Sequence, residues 1–394
     1  MKEIPLSVPN LGADIIDNLR TCVESGWVST GGPFITEFEE KVARYIGATD
    51  AVGCQSGTAG LHTALRLLGV VPGDLVLAPT LTFIAAVNPI RYQFADPVFL
   101  DCDDSFCIDP DKLERYCVEE CRTETRNGAL ALVEIASGRQ VKAVIPVHVF
   151  GFLADMERIT DIAARHHLKV LEDATEALGS FWESGRCAGM HAGLAGDAGV
   201  FSFNANKIIT TGGGGMIVSR DAGLLAQARY LTTTAKDDGL YFAHGDVGYN
   251  YRMLNLQAAL GVSQIDALEG FIETKRRNLA LYADLLEGAP GLRLLPLPEG
   301  IRSNAWFYSL YIDDDAGTDA GERRDRIMRA LIAEGIQCRP VWKLVHTQAA
   351  YSDCRAYGIE QACDYERHIL NLPCSTNLPE EDVHHVCARI RKWA

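Results

Sequence analysis

Over residues 1–260, short and nearly continuous apolar runs alternate with longer helical stretches. The runs at 50–54, 75–78, 97–101, 141–147, 168–172, 198–203 and 215–219 read as seven strands. Strict apolar/polar alternation is absent from several of them, which is what strands covered by helices on both faces require. Between them, 57–68, 83–94, 155–166 and 221–231 read as helices. The first begins just after Ser56 and the third opens at Asp155, residue types that satisfy free N–H groups at a helix start. The pattern predicts an α/β fold around a largely parallel sheet.

Two stretches interrupt this rhythm. Residues 1–45 form an N-terminal arm and helix with a Gly- and Pro-containing break at 26–33. Residues 110–140 are an insertion: a charged helix over 110–121, then a polar stretch, 122–139, that suits a small hairpin or a surface flap. After a helix that includes 254–267, a long helix at 269–286 bridges to strands at 292–295 and 306–312, a helix at 320–334 and a closing helix at 380–392. The expected organisation is a large unit, 1–265, and a smaller C-terminal α/β unit, 266–394. No repeat or low-complexity linker separates them.

Composition narrows the function classes. At 394 residues and 47% apolar content the chain can bury a substantial core. A net charge of −15 opposes the phosphate attraction that dominates nucleic-acid binding, though a local basic pocket for a phosphorylated small molecule is compatible with it. No apolar run of bilayer-spanning length occurs, and Met1-Lys2-Glu3-Ile4-Pro5 does not open a signal peptide, so a cytoplasmic location is expected and no membrane partner. The twelve cysteines are scattered and read as small buried hydrophobes. The pairs Cys102/Cys107 and Cys117/Cys121 lack a second short-spaced pair of the zinc-site kind, so no metal is expected.

The candidate chemistry clusters at strand ends. In Phe201-Ser202-Phe203-Asn204-Ala205-Asn206-Lys207, the lysine precedes four glycines, 212–215. A lysine sheltered from water can serve as a nucleophile that forms an imine with a carbonyl. Asp173 ends a strongly apolar strand, where doubly wound sheets place ligands, and suits a protonated ring nitrogen. Ser56-Gly57-Thr58-Ala59 stands at a strand-to-helix junction, where free N–H groups and hydroxyls make a phosphate site. Phe83, after Pro79-Thr80-Leu81-Thr82, suits a place over a planar ring. Each has an ordinary reading by itself: a surface lysine, a strand-linking glycine loop, a serine facing the sheet, a helix cap and a core aromatic. Neither a P-loop nor a GxGxxG turn is present. Together the four groups match what pyridoxal 5′-phosphate needs: an anchor, a stacking ring, a carboxylate for the ring nitrogen and a lysine.

These motifs, with Gly26-Trp27-Val28-Ser29, Thr210-Thr211-Gly212 and Gly248-Tyr249-Asn250-Tyr251-Arg252-Met253, make the chain resemble, end to end, the sugar-nucleotide aminotransferases of the DegT/DnrJ/EryC1/StrS family. The resemblance implies a fold-type I aminotransferase, with pyridoxal 5′-phosphate alternating with its pyridoxamine form. It further implies that Lys207 is the imine-forming lysine, Asp173 the ring-nitrogen partner and Phe83 the stacking ring. Ser56, Gly57, Thr58, Ala59, Ser202 and Asn204 match positions around the cofactor. Asn250 matches a residue that reaches the neighbouring subunit's cofactor, which implies a homodimer with composite sites. Glu176 departs from the glutamine common there and is expected either to hold a proton or to turn toward substrate. Asn204-Ala205-Asn206 departs from relatives that carry a histidine just after Phe-Ser-Phe.

Within the family, the insertion and the phrases 144–151 and 230–238 most resemble the branch that makes 4-amino sugars for legionaminic acid. This implies L-glutamate as donor and a nucleotide-linked 4-keto-6-deoxy-N-acetylhexosamine, UDP-linked by preference, as acceptor. Trp342, Lys343 and His346, after Arg339, with Asn304, Tyr308, His148, Trp27 and Ser29, are the candidate substrate contacts. Resembling 3-dehydratases carry histidine in place of Lys207, which disfavours that activity. A 3-aminotransferase is compatible with the same motifs, as is, with less support, a non-enzymatic regulator built on this scaffold.

Overall fold

The computed structural model describes residues 3–314 and 321–394. Its main sheet runs in the order Ala51–Cys54, Gly215–Val218, Ala198–Ser202, Lys169–Asp173, Gln140–Val144, Leu75–Pro79, Asp96–Leu100 and Ala356–Tyr357. From Ala198–Ser202 onward neighbours are parallel, whereas Gly215–Val218 is antiparallel to both its neighbours. The seven expected runs are all there, but the sheet is mixed and has ten strands. Two of the additional strands come from the insertion. Cys121–Arg126 and Ala129–Glu134 pair as a hairpin whose second strand pairs antiparallel with the first residues of Gln140–Val144. Its turn is Asn127-Gly128, both with positive φ, the two-residue chemistry whose twist suits a hairpin. The third, Ala356–Tyr357, comes from the C-terminal part and is too short for any periodicity to reveal it.

Helices cover the sheet, with Gly57–Leu67 and Met156–Arg165 in their expected places. The stretch 83–94 is instead a single 3-10 turn, Ile84–Ala86, followed by the short helix Asn88–Tyr92. Pro89 supplies no N–H to continue a helix through this point. The N-terminal stretch holds two helices, Ile15–Ser25 and Pro33–Ile46, parted by Gly26 in the left-handed conformation. The two helices expected around residue 268 are one, Asn255–Leu286. Gly270 costs such a helix only about 1 kcal/mol, which packing against Pro33–Ile46 and Glu380–Trp393 outweighs.

A second, antiparallel sheet runs in the order Leu292–Leu294, Tyr308–Ile312, Ile369–Leu372, Arg339–Pro340. Glu322–Ala333 and Glu380–Trp393 pack beside it; the expected start of the first of these helices, Ala320, lies outside the described residues. Ile301–Arg302 pairs with Phe181–Trp182, so this part of the chain is stitched to the main one. The loop 303–307 and the strand Arg339–Pro340 thereby reach the carboxyl ends of the main strands.

Candidate active site

Where the parallel strands end, a cavity of about 410 Å³ opens, a size suited to a small cofactor and part of a substrate. One wall is the start of helix Gly57–Leu67. The Ser56 hydroxyl accepts the Ala59 N–H at 3.1 Å, and the N–H groups of Gly57 and Thr58 lie in the turn that has no intrahelical acceptors. A Cβ on Gly57 would come within 2.9 Å of the Ser202 Cβ and 3.1 Å of Thr175, so only glycine lets the helix start approach the end of strand Ala198–Ser202 this closely. Free amides, two hydroxyls and the positive helix end make a cradle fitted to a phosphate dianion.

The rest of the lining carries the charges. Asp173 ends strand Lys169–Asp173, is 2% exposed, and accepts the Thr175 N–H at 3.0 Å. Burial raises its carboxyl above the ordinary range, against the Thr175 hydrogen bonds and the Lys207 charge. A cationic ring nitrogen beside it would restore the carboxylate. Phe83, half exposed at the mouth, leaves a ring face free to cover a planar ligand.

Lys207 follows the turn 204–206. Its Nζ lies 3.4 Å from Glu176 Oε1 and 4.2 Å from the centre of the Trp306 ring. Glu176 Oε2 accepts the Phe150 N–H at 2.9 Å, and burial raises this carboxyl as well. Phe150 is left-handed, with φ of 57°. Trp306 was not among the residues singled out in the sequence. Its indole N–H donates to the Asn206 carbonyl at 2.8 Å, so it clamps the turn that carries Lys207. An aromatic just before a strand of the second sheet was the one signal for it.

Ser56, Gly57, Thr58, Phe83, Asp173, Glu176, Ser202, Asn204, Lys207, Arg339 and Trp342 thus share one cavity. Ala59 is buried just behind it and contributes its N–H to the cap. Other expected contacts are engaged elsewhere. His148 is fully buried: its Nδ1 accepts the Ala154 N–H, so Nε2 carries the proton and donates to Glu172. Tyr308 is buried with its hydroxyl donating to the Lys275 carbonyl. Asn304 is buried too, its amide donating to the Glu176 and Leu178 carbonyls, so it supports the site's backbone rather than facing the cavity. His346 pairs with the Thr80 hydroxyl at 2.6 Å, while Lys343 is exposed outside the lining. Trp27, Ser29 and Asn250 are exposed and do not line this chain's cavity. Among the described residues no cluster of His, Cys, Asp or Glu could hold a metal ion, and no helix is long and apolar enough to cross a membrane.

A profile of the DegT/DnrJ/EryC1/StrS aminotransferase family matches residues 9–391. The chain belongs to this family. It is an aminotransferase. Over its whole length it is 35% identical to EpsN of Bacillus subtilis (strain 168), to which pyridoxal phosphate-dependent aminotransferase activity is ascribed, covering 98% of that protein. Over 99% of its length it is 34% identical to the GDP-perosamine synthase of Caulobacter vibrioides, covering 98% of it. Among solved structures, the aminotransferase TlmJ of Streptoalloteichus hindustanus superposes with a TM-score of 0.87 at 28% identity, over the whole of this chain and 99% of that one.

Proposed function

We propose that this aminotransferase moves the amino group of L-glutamate to the C4 ketone of a nucleotide-linked 4-keto-6-deoxy-N-acetylhexosamine, giving a 4-amino sugar of the legionaminic acid type for a surface glycan. The observation that carries this reading is Lys207 and Asp173 lining the same cavity as a phosphate cradle. The cofactor is pyridoxal 5′-phosphate; when bound, its ring draws off the charge left by removal of a C–H proton, and its pyridoxamine form carries the amino group between substrates. Ser56, Gly57, Thr58 and Ser202 hold the phosphate, Asp173 keeps a proton on the ring nitrogen, and Phe83 covers the ring. Lys207, freed when an amine takes its place, removes and returns the proton. Arg339 and Trp342, at the cavity edge, suit the carboxylate or diphosphate and a planar base. In this reading residues 1–265 bind the cofactor and 266–394 close the substrate side.

The working unit is a homodimer. Asn250 is exposed and does not line its own chain's cavity, and Leu240, Tyr241 and Phe242 stand exposed on the turn between Lys236–Asp238 and Ala243–His244. Such an apolar tip favours a second copy as its partner. Mixing a Lys207→Ala chain with an Asn250→Ala chain tests it: composite sites put both defects in one site and leave the other working. The free cysteines accord with a reducing, cytoplasmic setting.

The carrier has two readings. The insertion and the phrases 144–151 and 230–238 favour UDP; the likeness to a GDP-perosamine synthase favours GDP. A panel of 4-keto and 3-keto sugars on UDP and GDP, with glutamate as donor and products read by NMR, decides it. Amination at C3 alone, or a dehydrated product, would overturn the proposed reaction.

A further inference from the structure

Lys207 is the nucleophile of the proposed function, and an ammonium ion is no nucleophile. Its proton has to go somewhere before the nitrogen can attack a carbonyl carbon. Two groups flank the nitrogen. The Trp306 ring, 4.2 Å away, stabilises the cation and offers no lone pair to receive a proton. Glu176 Oε1, 3.4 Å away, does offer one. Asp173, the other buried acid of the cavity, bonds to Thr175 and makes no hydrogen bond to Lys207.

Glu176 is also held for the task. Its second oxygen is fixed by the Phe150 N–H, its own carbonyl is tied to the Asn304 amide, and only 4% of its side chain is exposed. The carboxylate therefore has little freedom to rotate away from Lys207, and little water competes for the proton. Beside a cationic Lys207 the carboxylate is favoured; beside a neutral one, its burial favours the acid.

Resting on the reading of Lys207 as the carbonyl-binding amine, we propose that Glu176 is the base that takes the Lys207 ammonium proton and stores it while that nitrogen is covalently engaged. The step balances: the proton passes from Nζ to Oε1, giving amine and carboxylic acid; the amine nitrogen then bonds to the carbonyl carbon, whose oxygen leaves as water. When the lysine is displaced, its free amine first serves as the base of the proposed reaction, and Glu176 returns the stored proton only after that transfer is complete. The departure from glutamine at this position thereby gains a use that glutamine, without an accepting carboxylate, cannot supply.

The test is the rate at which the cofactor-free full-length protein, mixed with saturating pyridoxal 5′-phosphate, forms the borohydride-trappable adduct on Lys207, measured across pH 5–9. Glu176→Gln keeps the shape and an acceptor for the Phe150 N–H. It is expected to slow adduct formation roughly tenfold to a hundredfold near neutrality. Its rate should climb with pH toward that of the wild type, and formate should accelerate Glu176→Ala, which vacates the carboxylate's place, but not the wild type. The wild-type profile should level off below neutral pH. Equal rates and profiles in Glu176→Gln and the wild type, or a folded Glu176→Ala slowed equally at every pH and untouched by formate, would overturn the proposal. Lys207→Ala separates the two readings: a trappable adduct in that variant would remove Lys207 as the amine, whatever Glu176 does.

Discussion

Lys275 and Lys207 are both withdrawn from water, and of these two only Lys207 faces the cavity at the strand ends. Lys275, on helix Asn255–Leu286, is 2% exposed; its ammonium donates to the Trp306 carbonyl at 2.8 Å and to the Cys374 carbonyl, with the Tyr308 ring 5.6 Å away. Lys207 has an aromatic ring too, but its polar neighbour is a carboxylate and it faces open space. Neutral carbonyls can satisfy a buried ammonium but cannot take its proton, so Lys275 is a fastening. A carboxylate in contact and a cavity of ligand size make Lys207 a reagent. Burial of a lysine is therefore no mark of function by itself; what its partners can accept decides. The two are also coupled, because Lys275 holds the backbone of the same Trp306 whose indole packs on Lys207.

Removing the reagent should have the largest effect. Lys207→Ala is expected to lower glutamate-dependent amination at least about a thousandfold, about 4 kcal/mol in transition-state stabilisation, with the circular dichroism of a folded protein retained. Near-wild-type turnover would erase the distinction between the two lysines.

Removing the fastening should act on stability instead. Lys275→Met leaves two buried carbonyls without a donor and is expected to cost about 2–4 kcal/mol in urea unfolding. The pH dependence sharpens this. Burial holds the Lys275 ammonium below its ordinary 10.5, so the unfolded chain binds more protons than the native one between the native value and 10.5. Stability should rise with pH through that window, and the penalty is fully present below it. Lys275→Met should lack this part of the slope; identical slopes in the two proteins would count against a buried cation there.

Asp173→Asn is expected to retain cofactor but to slow the chemistry at least about tenfold, about 1.4 kcal/mol. Its stability should move the other way. Burial raises the Asp173 carboxyl above its ordinary 3.8, so the cofactor-free native state binds more protons than the unfolded one just above that value and stability falls as pH rises through the native value. The asparagine variant escapes that loss and should unfold at higher urea near neutrality. A folded variant with unchanged single-turnover kinetics would make Asp173 a helix cap only.

The smallest effect is expected at the residue the two lysines share. Trp306→Phe keeps an aromatic face but loses the N–H bond to Asn206, and should slow Lys207 adduct formation several-fold while costing about 1 kcal/mol in unfolding. A larger effect on unfolding than on adduct formation would place Trp306 with Lys275 as part of the fastening.

By itself the sequence determined the seven core strands and the order of chemistry at their ends. Apolar runs, N-cap residues and turn glycines are local signals, read within a few residues of the groups they position. That is why Ser56-Gly57-Thr58, Phe83, Asp173, Ser202 and Lys207 were legible and converge on one cavity. Tertiary structure alone decided which polar residues face it. His148 and Tyr308 carried the residue types of a substrate site, yet buried partners at Glu172 and Lys275 claim them. Trp306 lies about 100 positions from the lysine it covers, and Glu176 is oriented by an N–H from Phe150. Contacts between segments so far apart leave no periodicity in the chain, because they are set by how helices and a second sheet pack over the strand ends. The same packing made one helix of Asn255–Leu286 through Gly270 and brought Ala356–Tyr357 to the sheet edge, where backbone hydrogen bonds, not side-chain pattern, define the strand.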